Sequence, residues 1–171
     1  MVYTVTFNPA VDYIVHTKQL IAGATNRSDS EEIYFGGKGI NVSIVLSELG
    51  VKSKALGFVA GFTGEAIENG VAEKGIDADF VHLNEGFSRI NVKIKSGEET
   101  ELNGQGPKIT DEAIRELYAK LDEIQDGDTL VLAGSIPSSL PADIYERILE
   151  RLSGKKIRAV VDATKDLLLN V

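Results

Sequence analysis

The sequence predicts an α/β domain built on a mostly parallel sheet, because segments with strand and helix patterns alternate along most of the chain. Near-continuous apolar runs such as residues 129–133 are typical of strands buried inside a parallel sheet. Segments with apolar residues three and four positions apart lie between these runs and indicate amphipathic helices. With 171 residues, the chain has the length of one domain with a sizeable core.

The N-terminal part of the chain begins with a strand and continues with an extended excursion. Residues 2–7 are rich in β-forming side chains, and the turn signal Asn8-Pro9-Ala10 ends this first strand. We expect a further extended segment at 11–20, a polar loop at 21–30 and a short strand at 31–35.

A glycine-rich turn follows, in which Gly36, Gly37 and Gly39 surround Lys38 immediately before a helical pattern. Glycines let backbone N–H groups approach a ligand closely, and a helix N-terminus adds free donors and partial positive charge. Together with the lysine, this pattern predicts a site for an anionic or hydroxyl-rich small molecule. The alternative is a turn that needs glycines only for its backbone shape. The spacing fits neither a Walker A loop nor the dinucleotide-binding fingerprint.

The next segments return to the alternation of helices and strands. A helix is predicted over 40–49 with Gly50 as its C′ residue, followed by a buried strand over 51–60. A second glycine turn (61–64), a helix (65–74) that ends at Gly75, and a strand (78–83) come next. The predicted apolar stripe of the 40–49 helix consists of Ile40, Ile44, Val45, Leu46 and Leu49.

Residues 88–95 interrupt the alternation with a period-two pattern, in which apolar side chains alternate with polar ones. This pattern predicts a half-exposed strand, and Ser96-Gly97-Glu98 turns it back into a second strand at 99–103. We expect a small separate sheet that combines segments 11–35 and 88–103 and forms a lid or a dimer interface. The polar positions of 88–95 are Arg89, Asn91, Lys93 and Lys95.

The remaining chain repeats helix and strand twice. Thr110 is predicted to cap a helix whose buried face contains Ile114, Leu117, Leu121 and Ile124. After the strand at 129–133, Pro141 is predicted to begin a helix, and 157–161 forms the last buried strand. The run Leu167-Leu168-Leu169 would still need a core, which suggests a longer protein.

Composition narrows the classes of function. The net charge of −8 argues against nucleic acid and against an anionic membrane surface as the main partner. The sequence has no cysteine and only two histidines, so disulfides and thiolate or histidine-rich metal sites are not expected. No segment has the pattern of a signal peptide or a membrane span, and we expect a cytoplasmic protein.

Polar side chains follow several of the predicted strands. Ligands of open α/β sheets bind beyond the carboxyl ends of the strands, and a carboxylate, amides and cations there would suit a phosphorylated polyol. Each residue also has a purely structural interpretation, as a turn residue or part of a solvated face. The candidates are Asp12, Lys38, Asn41, Ser135 and Asp162, with Arg89, Asn91 and Lys93 reaching over from the small sheet.

Four ordered motifs carry a resemblance to a known family. They are Asn8-Pro9-Ala10-Val11-Asp12, Gly36-Gly37-Lys38-Gly39-Ile40-Asn41-Val42, Ser88-Arg89-Ile90-Asn91-Val92-Lys93 and Leu132-Ala133-Gly134-Ser135-Ile136-Pro137. In this order and spacing the chain resembles the ribokinase-like (PfkB) carbohydrate kinases, particularly the branch of 1-phosphofructokinases and tagatose-6-phosphate kinases.

The resemblance implies a three-layer αβα fold with a small β-sheet lid, of which residues 1–171 would be the N-terminal part, truncated at the C-terminus. It further implies a homodimer formed through the lid. It also implies substrate contacts from two groups of residues. Asp12, Gly36, Gly37, Lys38, Asn41, Arg89, Asn91 and Ser135 would bind the sugar phosphate. Arg27 and Lys93 would be further lid contacts, and Asp162 would lie near the nucleotide and metal.

The resemblance also implies ATP and Mg²⁺ as cofactor and metal, with a sugar phosphate as the acceptor. We expect fructose 1-phosphate, and tagatose 6-phosphate and fructose 6-phosphate remain alternatives. A non-catalytic sugar-phosphate-binding protein is the alternative of another class.

The resemblance does not assign the family's catalytic base, its magnesium-associated motif or most of its nucleotide site within this sequence. The base is an aspartate of a Gly-Ala-Gly-Asp motif, and a downstream Asn-x-x-Glu motif is associated with magnesium. This sequence contains neither motif. We therefore expect the catalytic base to lie beyond Val171 and the 171-residue chain to be inactive alone.

Overall fold

The computed structural model describes residues 1–162 and shows the predicted alternation of strands and helices. The Leu167–Leu169 run and Val171 lie outside the described residues. Within the described part, no helix is long and apolar enough to cross a membrane. The strands are β1 (Val2–Thr6), β2 (Ala10–His16), β3 (Ser30–Gly36), β4 (Ser53–Ala60), β5 (Asp77–Ala78), β6 (Val81–Leu83), β7 (Arg89–Ser96), β8 (Glu98–Asn103), β9 (Thr129–Ala133) and β10 (Arg158–Asp162). The helices are α1 (Lys38–Glu48), α2 (Gly61–Glu73), α3 (Asp111–Asp122) and α4 (Ile144–Arg151).

The larger sheet is parallel and lies between two layers of helices, so the predicted three-layer fold is confirmed. Its strand order is β10-β9-β1-β4-β5, with β6 also paired to β4. Side chains of a strand alternate between the two faces. In β4, Leu56 and Phe58 pack in one core with α3 and α4. Ala55 and Val59 pack in a second core with α1 and α2.

The smaller sheet has the strand order β3-β2-β7-β8 and combines the two extended excursions of the chain. Because β2 and β7 are parallel in register, Asp12 lies opposite Asn91 and Ala10 lies opposite Arg89. The alternation of side chains gives this sheet a polar face that contains these three polar residues and an apolar face on its other side.

Helix α1 buries only part of the predicted stripe: Ile40 is fully buried, and Ile44 packs against the core of α1 and α2. Val45 and Leu49 are 53% and 72% exposed, so their predicted burial is wrong. The helix also packs through Ser43, which is fully buried and was not part of the predicted stripe. The Ser43 hydroxyl hydrogen-bonds with Thr4 of β1 and accepts from Ser53 of β4, a polar contact that hydrophobic periodicity does not detect.

Three element boundaries also differ from the predictions. The predicted turn at 61–64 is the first turn of α2, where a Cβ on Gly61 would lie 2.8 Å from the Gly86 carbonyl oxygen. The predicted strand at 78–83 is divided into β5 and β6 because Phe80 turns into the core between them. Helix α4 begins at Ile144 instead of Pro141, since a turn closed by the Ile144 N–H and the Pro141 carbonyl precedes it.

The smaller sheet is joined to the helical layer at a notch in α2. A Cβ added at Gly70 would lie 2.0 Å from Cδ2 of Phe35, which packs from β3 against the core of α1 and α2. Replacing glycine by alanine inside a helix normally stabilises it by about 1 kcal/mol. We expect Gly70→Ala to destabilise this protein by about 1–3 kcal/mol, because the methyl group overpacks the notch.

Urea unfolding of the wild type, Gly70→Ala, Phe35→Ala and the double variant measures this coupling. In the Phe35→Ala background, Gly70→Ala should become stabilising because the ring that it meets is gone. An equal effect of Gly70→Ala in both backgrounds would show that the notch does not determine the packing.

Candidate functional site

A cleft lies where the carboxyl ends of β1 and β9 meet the first turn of α1 and the small sheet. Its volume is about 200 Å³. A larger open cleft of about 580 Å³ lies between 82–86 and the start of α3, but none of the predicted site residues lines it. The smaller cleft is lined by Thr6, Phe7, Asn8, Gly37, Lys38, Arg89, Ala133, Gly134 and Ser135.

Lys38 provides the positive charge at the α1 side of the cleft. Its Nζ lies 3.3 Å from Oδ2 of Asp162 at the end of β10, and both side chains are at least half exposed. Such an exposed pair is weak, so the ammonium group can exchange this carboxylate for an anionic ligand. The structure thus places Lys38, Asp162 and Ser135 around one edge of the sheet.

The first turn of α1 has no side-chain cap of its own, since its N-cap residue is Gly37. Among residues 1–162, no acceptor is present for the N–H groups of Lys38 and Gly39. Unsatisfied N–H groups at a helix N-terminus favour anions. This turn and the lysine ammonium group therefore have the same preference for negative charge.

Arg89 contributes a second, partly buried cation from β7. Its Nε donates a hydrogen bond to the Asn8 carbonyl at 3.1 Å. No carboxylate within residues 1–162 lies within 4.0 Å of this guanidinium group. Burial lowers the pKa of Arg89 from its ordinary value, and the charge of Asp12 opposes that shift. An arginine remains protonated at neutral pH, so this group presents an incompletely balanced charge to the cleft.

A carboxylate and an amide lie together on the polar face of the small sheet, and a second amide, that of Asn41, lies near them on α1. Nδ2 of Asn91 donates to Oδ1 of Asp12 at 2.7 Å, and Asn91 is only 7% exposed. A Cβ built on Gly36 would lie 3.6 Å from Asp12 Oδ2 and 3.4 Å from Asn41 Oδ1. The predicted residues Asp12, Gly36, Asn41 and Asn91 therefore form one cluster, and none of the four is among the residues that line the cleft.

The turn at Gly134 is stabilised by a side chain that does not line the cleft. Gly134 has φ +111°, a value that favours glycine, and its carbonyl accepts a hydrogen bond from the Tyr145 hydroxyl at 3.0 Å. Burial, assisted by the charge of Asp162, raises the pKa of Tyr145 to about 12. The phenol therefore stays protonated at neutral pH and keeps its role as the donor that fixes the backbone next to Ser135.

Two predicted lid contacts lie away from the cleft in this structure. The Lys93 ammonium group lies 3.5 Å from Oε1 of Glu101 on β8, on the polar face but beyond Asn91. Arg27 is exposed in the loop between β2 and β3, where its carbonyl accepts a hydrogen bond from Thr17. Neither residue lines the cleft, and their contact with a ligand remains a prediction.

Sequence reasoning missed Thr6 and Asn8, which both line the cleft. Asn8 uses its carbonyl to orient Arg89 and its amide to donate to the Gln105 carbonyl at 2.8 Å. Thr6 is 4% exposed, and its hydroxyl accepts a hydrogen bond from the Ile40 N–H. A polar residue at the buried end of an apolar strand was the available signal for Thr6.

The residues that the structure describes do not by themselves form a magnesium site. Within 1–162, no three carboxylate or imidazole groups come together as metal ligands. Asp162 contributes a single carboxylate, and it is paired with Lys38. The cleft is lined by two cations and by the first turn of α1, and the Asp12 cluster lies next to Arg89 on the polar face of the small sheet. These groups have the chemistry to bind a molecule that combines an anionic group with hydroxyls.

The predicted position of the catalytic base is not tested by this geometry. That base is expected beyond Val171, and Val171 itself lies outside the described residues, which end at Asp162. The location of the base therefore stays a prediction. The contacts observed at the cleft are informative only about how the molecule that accepts the phosphoryl group would be bound.

The chain matches the model of the pfkB family carbohydrate kinases over residues 5–168. It is 51% identical to 1-phosphofructokinase of Bacillus subtilis, over 99% of this chain and 55% of that protein. It is 39% identical to D-tagatose-1-phosphate kinase of Bacillus licheniformis, over 99% of this chain and 56% of that protein. The chain thus spans about half the length of the curated relatives it matches.

A solved structure shows the same architecture. It is the crystal structure of a Staphylococcus aureus protein named provisionally as a phosphofructokinase, with a TM-score of 0.92 and 41% sequence identity. The superposition covers 99% of this chain and 55% of the other. Motif order, fold and family match agree, and the chain belongs to the pfkB family of carbohydrate kinases.

Proposed function

We propose that the complete protein is an ATP-dependent kinase that phosphorylates a hydroxyl group of fructose 1-phosphate. The observation that carries this proposal is that two cations, Lys38 and Arg89, line one cleft, while the Asp12–Asn91 pair lies next to Arg89 on the polar face of the small sheet. Cations suit the phosphate group of the acceptor, and a carboxylate accepts hydrogen bonds from sugar hydroxyls. In the reaction, the γ-phosphoryl group of ATP passes to the sugar oxygen, which loses its proton.

Fructose 1-phosphate is preferred because a relative that is 51% identical has the name 1-phosphofructokinase. A second acceptor, D-tagatose 1-phosphate, is favoured by the name of the relative with 39% identity. The two sugars are stereoisomers, so the same phosphate contacts would serve both. Tagatose 6-phosphate and fructose 6-phosphate remain the alternatives that the motif resemblance suggests.

The proposal assigns to the described residues only the binding of the sugar phosphate. Phosphoryl transfer depends on charge positioned around the γ-phosphate, and ATP and Mg²⁺ would supply the phosphoryl donor and its charge neutralisation. The residues that would hold both, apart from Asp162, are not among those described. In this proposal residues 1–162 bind and orient the acceptor, and the base that takes its proton belongs to the part of the complete protein beyond Val171.

We also propose that the protein is a homodimer that associates through the apolar face of the small sheet. On this face Ile33 and Leu102 are 58% and 73% exposed, and an apolar cleft of about 580 Å³ adjoins Leu102. Large exposed side chains that share one face are typical of association surfaces. Sedimentation velocity at micromolar concentration checks this, and a purely monomeric protein contradicts it.

The function is tested by titrating the full-length protein with fructose 1-phosphate, tagatose 1-phosphate, tagatose 6-phosphate and fructose 6-phosphate, and by measuring ADP release with each. We expect the largest kcat/KM for fructose 1-phosphate, and little ADP release from the 171-residue chain alone. Binding without turnover by the full-length protein would instead indicate a non-catalytic binding protein. Absence of binding to all four sugars would refute the proposal.

A further inference from the structure

Helix α1 receives its N-terminal cap from a distant strand. Side chains of Ser, Thr, Asp or Asn at the N-cap position usually accept a hydrogen bond from the first turn. The N-cap residue here is Gly37, which has no side chain to do so. Thr6, at the carboxyl end of β1, takes this role: its Oγ1 accepts a hydrogen bond from the Ile40 N–H at 3.0 Å. Both residues are buried.

The glycines of the turn fit around this threonine. A Cβ at Gly37 would lie 2.4 Å from Cγ2 of Thr6, and a Cβ at Gly39 would lie 2.5 Å from its Oγ1. Neither distance occurs between real atoms of these types in a relaxed structure. The glycine turn therefore has the shape needed to enclose the Thr6 side chain, in addition to any requirement of a ligand.

We propose that Thr6 is a positioning residue for the substrate site. Its hydroxyl fixes the first turn of α1 so that the ammonium group and the backbone N–H of Lys38 are presented at the cleft. This inference rests on the proposed function, because it assigns these groups to the anionic part of the sugar phosphate. Thr6 itself acts through the helix, by holding the groups that contact the ligand.

A second threonine on the same strand provides a matched control. Thr4 lies two residues before Thr6, on the same face of β1, and its hydroxyl hydrogen-bonds with the Ser43 hydroxyl at 2.8 Å. Thr4 is also fully buried and also joins β1 to α1, but it does not line the cleft. Thr4→Val removes the same chemical group from the same strand–helix contact, one helical turn farther from the site.

The test compares Thr6→Val, Thr6→Ser and Thr4→Val in the full-length protein. Calorimetry measures the Kd for fructose 1-phosphate, and steady-state kinetics measure KM for ATP. We expect Thr6→Val to weaken sugar-phosphate binding about tenfold and to leave KM for ATP within about twofold, because a lost cap is worth about 1 kcal/mol. Thr6→Ser should restore binding. Thr4→Val should lower thermal stability and leave Kd within about twofold.

Amide hydrogen exchange separates this inference from the proposed function. Exchange of the Ile40 N–H should become at least about tenfold faster in Thr6→Val than in Thr6→Ser, whether or not a sugar phosphate binds. If the wild type binds no sugar phosphate, the proposed function fails. The exchange rate of the Ile40 N–H then tests only whether Thr6 caps α1. Wild-type affinity in Thr6→Val, equal loss in Thr4→Val, or unchanged Ile40 exchange would overturn the positioning role.

Discussion

Replacement of Asp12 by asparagine is expected to lower kcat/KM for the sugar phosphate by about a hundredfold or more. Hydrogen bonds to a charged group contribute about 1.5–3 kcal/mol each, and in the proposed function the Asp12 carboxylate accepts hydrogen bonds from sugar hydroxyls. Asparagine keeps the size of the side chain and can still accept the hydrogen bond that Asn91 donates at 2.7 Å. The loss should therefore appear in binding and turnover, while the thermal midpoint changes by only a few degrees.

Glu32→Gln is the matched control for this substitution. Glu32 lies on the same polar face of the small sheet, opposite Ile14, and its carboxylate pairs with His16 and Tyr34 away from the cleft. It undergoes the same change from carboxylate to amide, and we expect kcat/KM within about threefold of the wild type. Comparable losses in both variants would mean that the general negative charge of this face, and not a direct contact from Asp12, supports activity.

Replacement of Gly57 by alanine is expected to have the largest effect on stability. Gly57 of β4 is paired with Thr6 of β1 in the centre of the parallel sheet and has φ +151°. A Cβ there would lie 2.0 Å from the Thr6 carbonyl oxygen and 3.0 Å from its carbonyl carbon. These are backbone atoms of a central strand, so they cannot move away without breaking the β1–β4 pairing.

We expect Gly57→Ala to lower the free energy of unfolding by at least about 4 kcal/mol, a large fraction of the total for a domain. Urea unfolding and the soluble yield measure the effect. Gly127→Ala is the control, since Gly127 has φ +89° but no atom within 4 Å of its would-be Cβ. We expect backbone strain alone to lower the free energy of unfolding of Gly127→Ala by about 1–2 kcal/mol. Equal losses in the two variants would show that strain, and not the clash with Thr6, determines the cost at Gly57.

The fold was largely predictable because most of its elements have local signals in the sequence. Apolar runs, the Thr110 cap and the period-two pattern of β7 each depend on side chains close together in sequence. The cap is observed as predicted, with Thr110 Oγ1 accepting from the Ala113 N–H. The errors arose where a distant segment determined the outcome. Glycines at 61–64 permit close packing against 86–88 instead of forming a turn, and nothing in their immediate neighbourhood distinguishes the two roles.

The candidate site divides in the same way. Motifs alone predicted the residues on which the proposed function rests, including Asp12, Lys38 and Arg89, because glycine turns and clustered polar residues are visible in a linear pattern. The arrangement of these side chains in space was not visible in the sequence. Sequence could not show that Asn91 donates to Asp12 across 79 positions or that Lys38 pairs with Asp162, since these contacts depend on strand register and on the parallel order of the sheet.

By itself, then, the sequence determined the α/β class, the small sheet and the residues that belong to the family motifs, because these follow from local propensity and side-chain alternation. Only the tertiary structure decided that Thr6 caps α1 and that Gly57 lets Thr6 approach. The Thr6–Ile40 hydrogen bond joins residues 34 positions apart. Such a contact forms only when β1, β4 and α1 have packed together. Its contribution to stability therefore depends on the packed core, and no local sequence pattern indicates it.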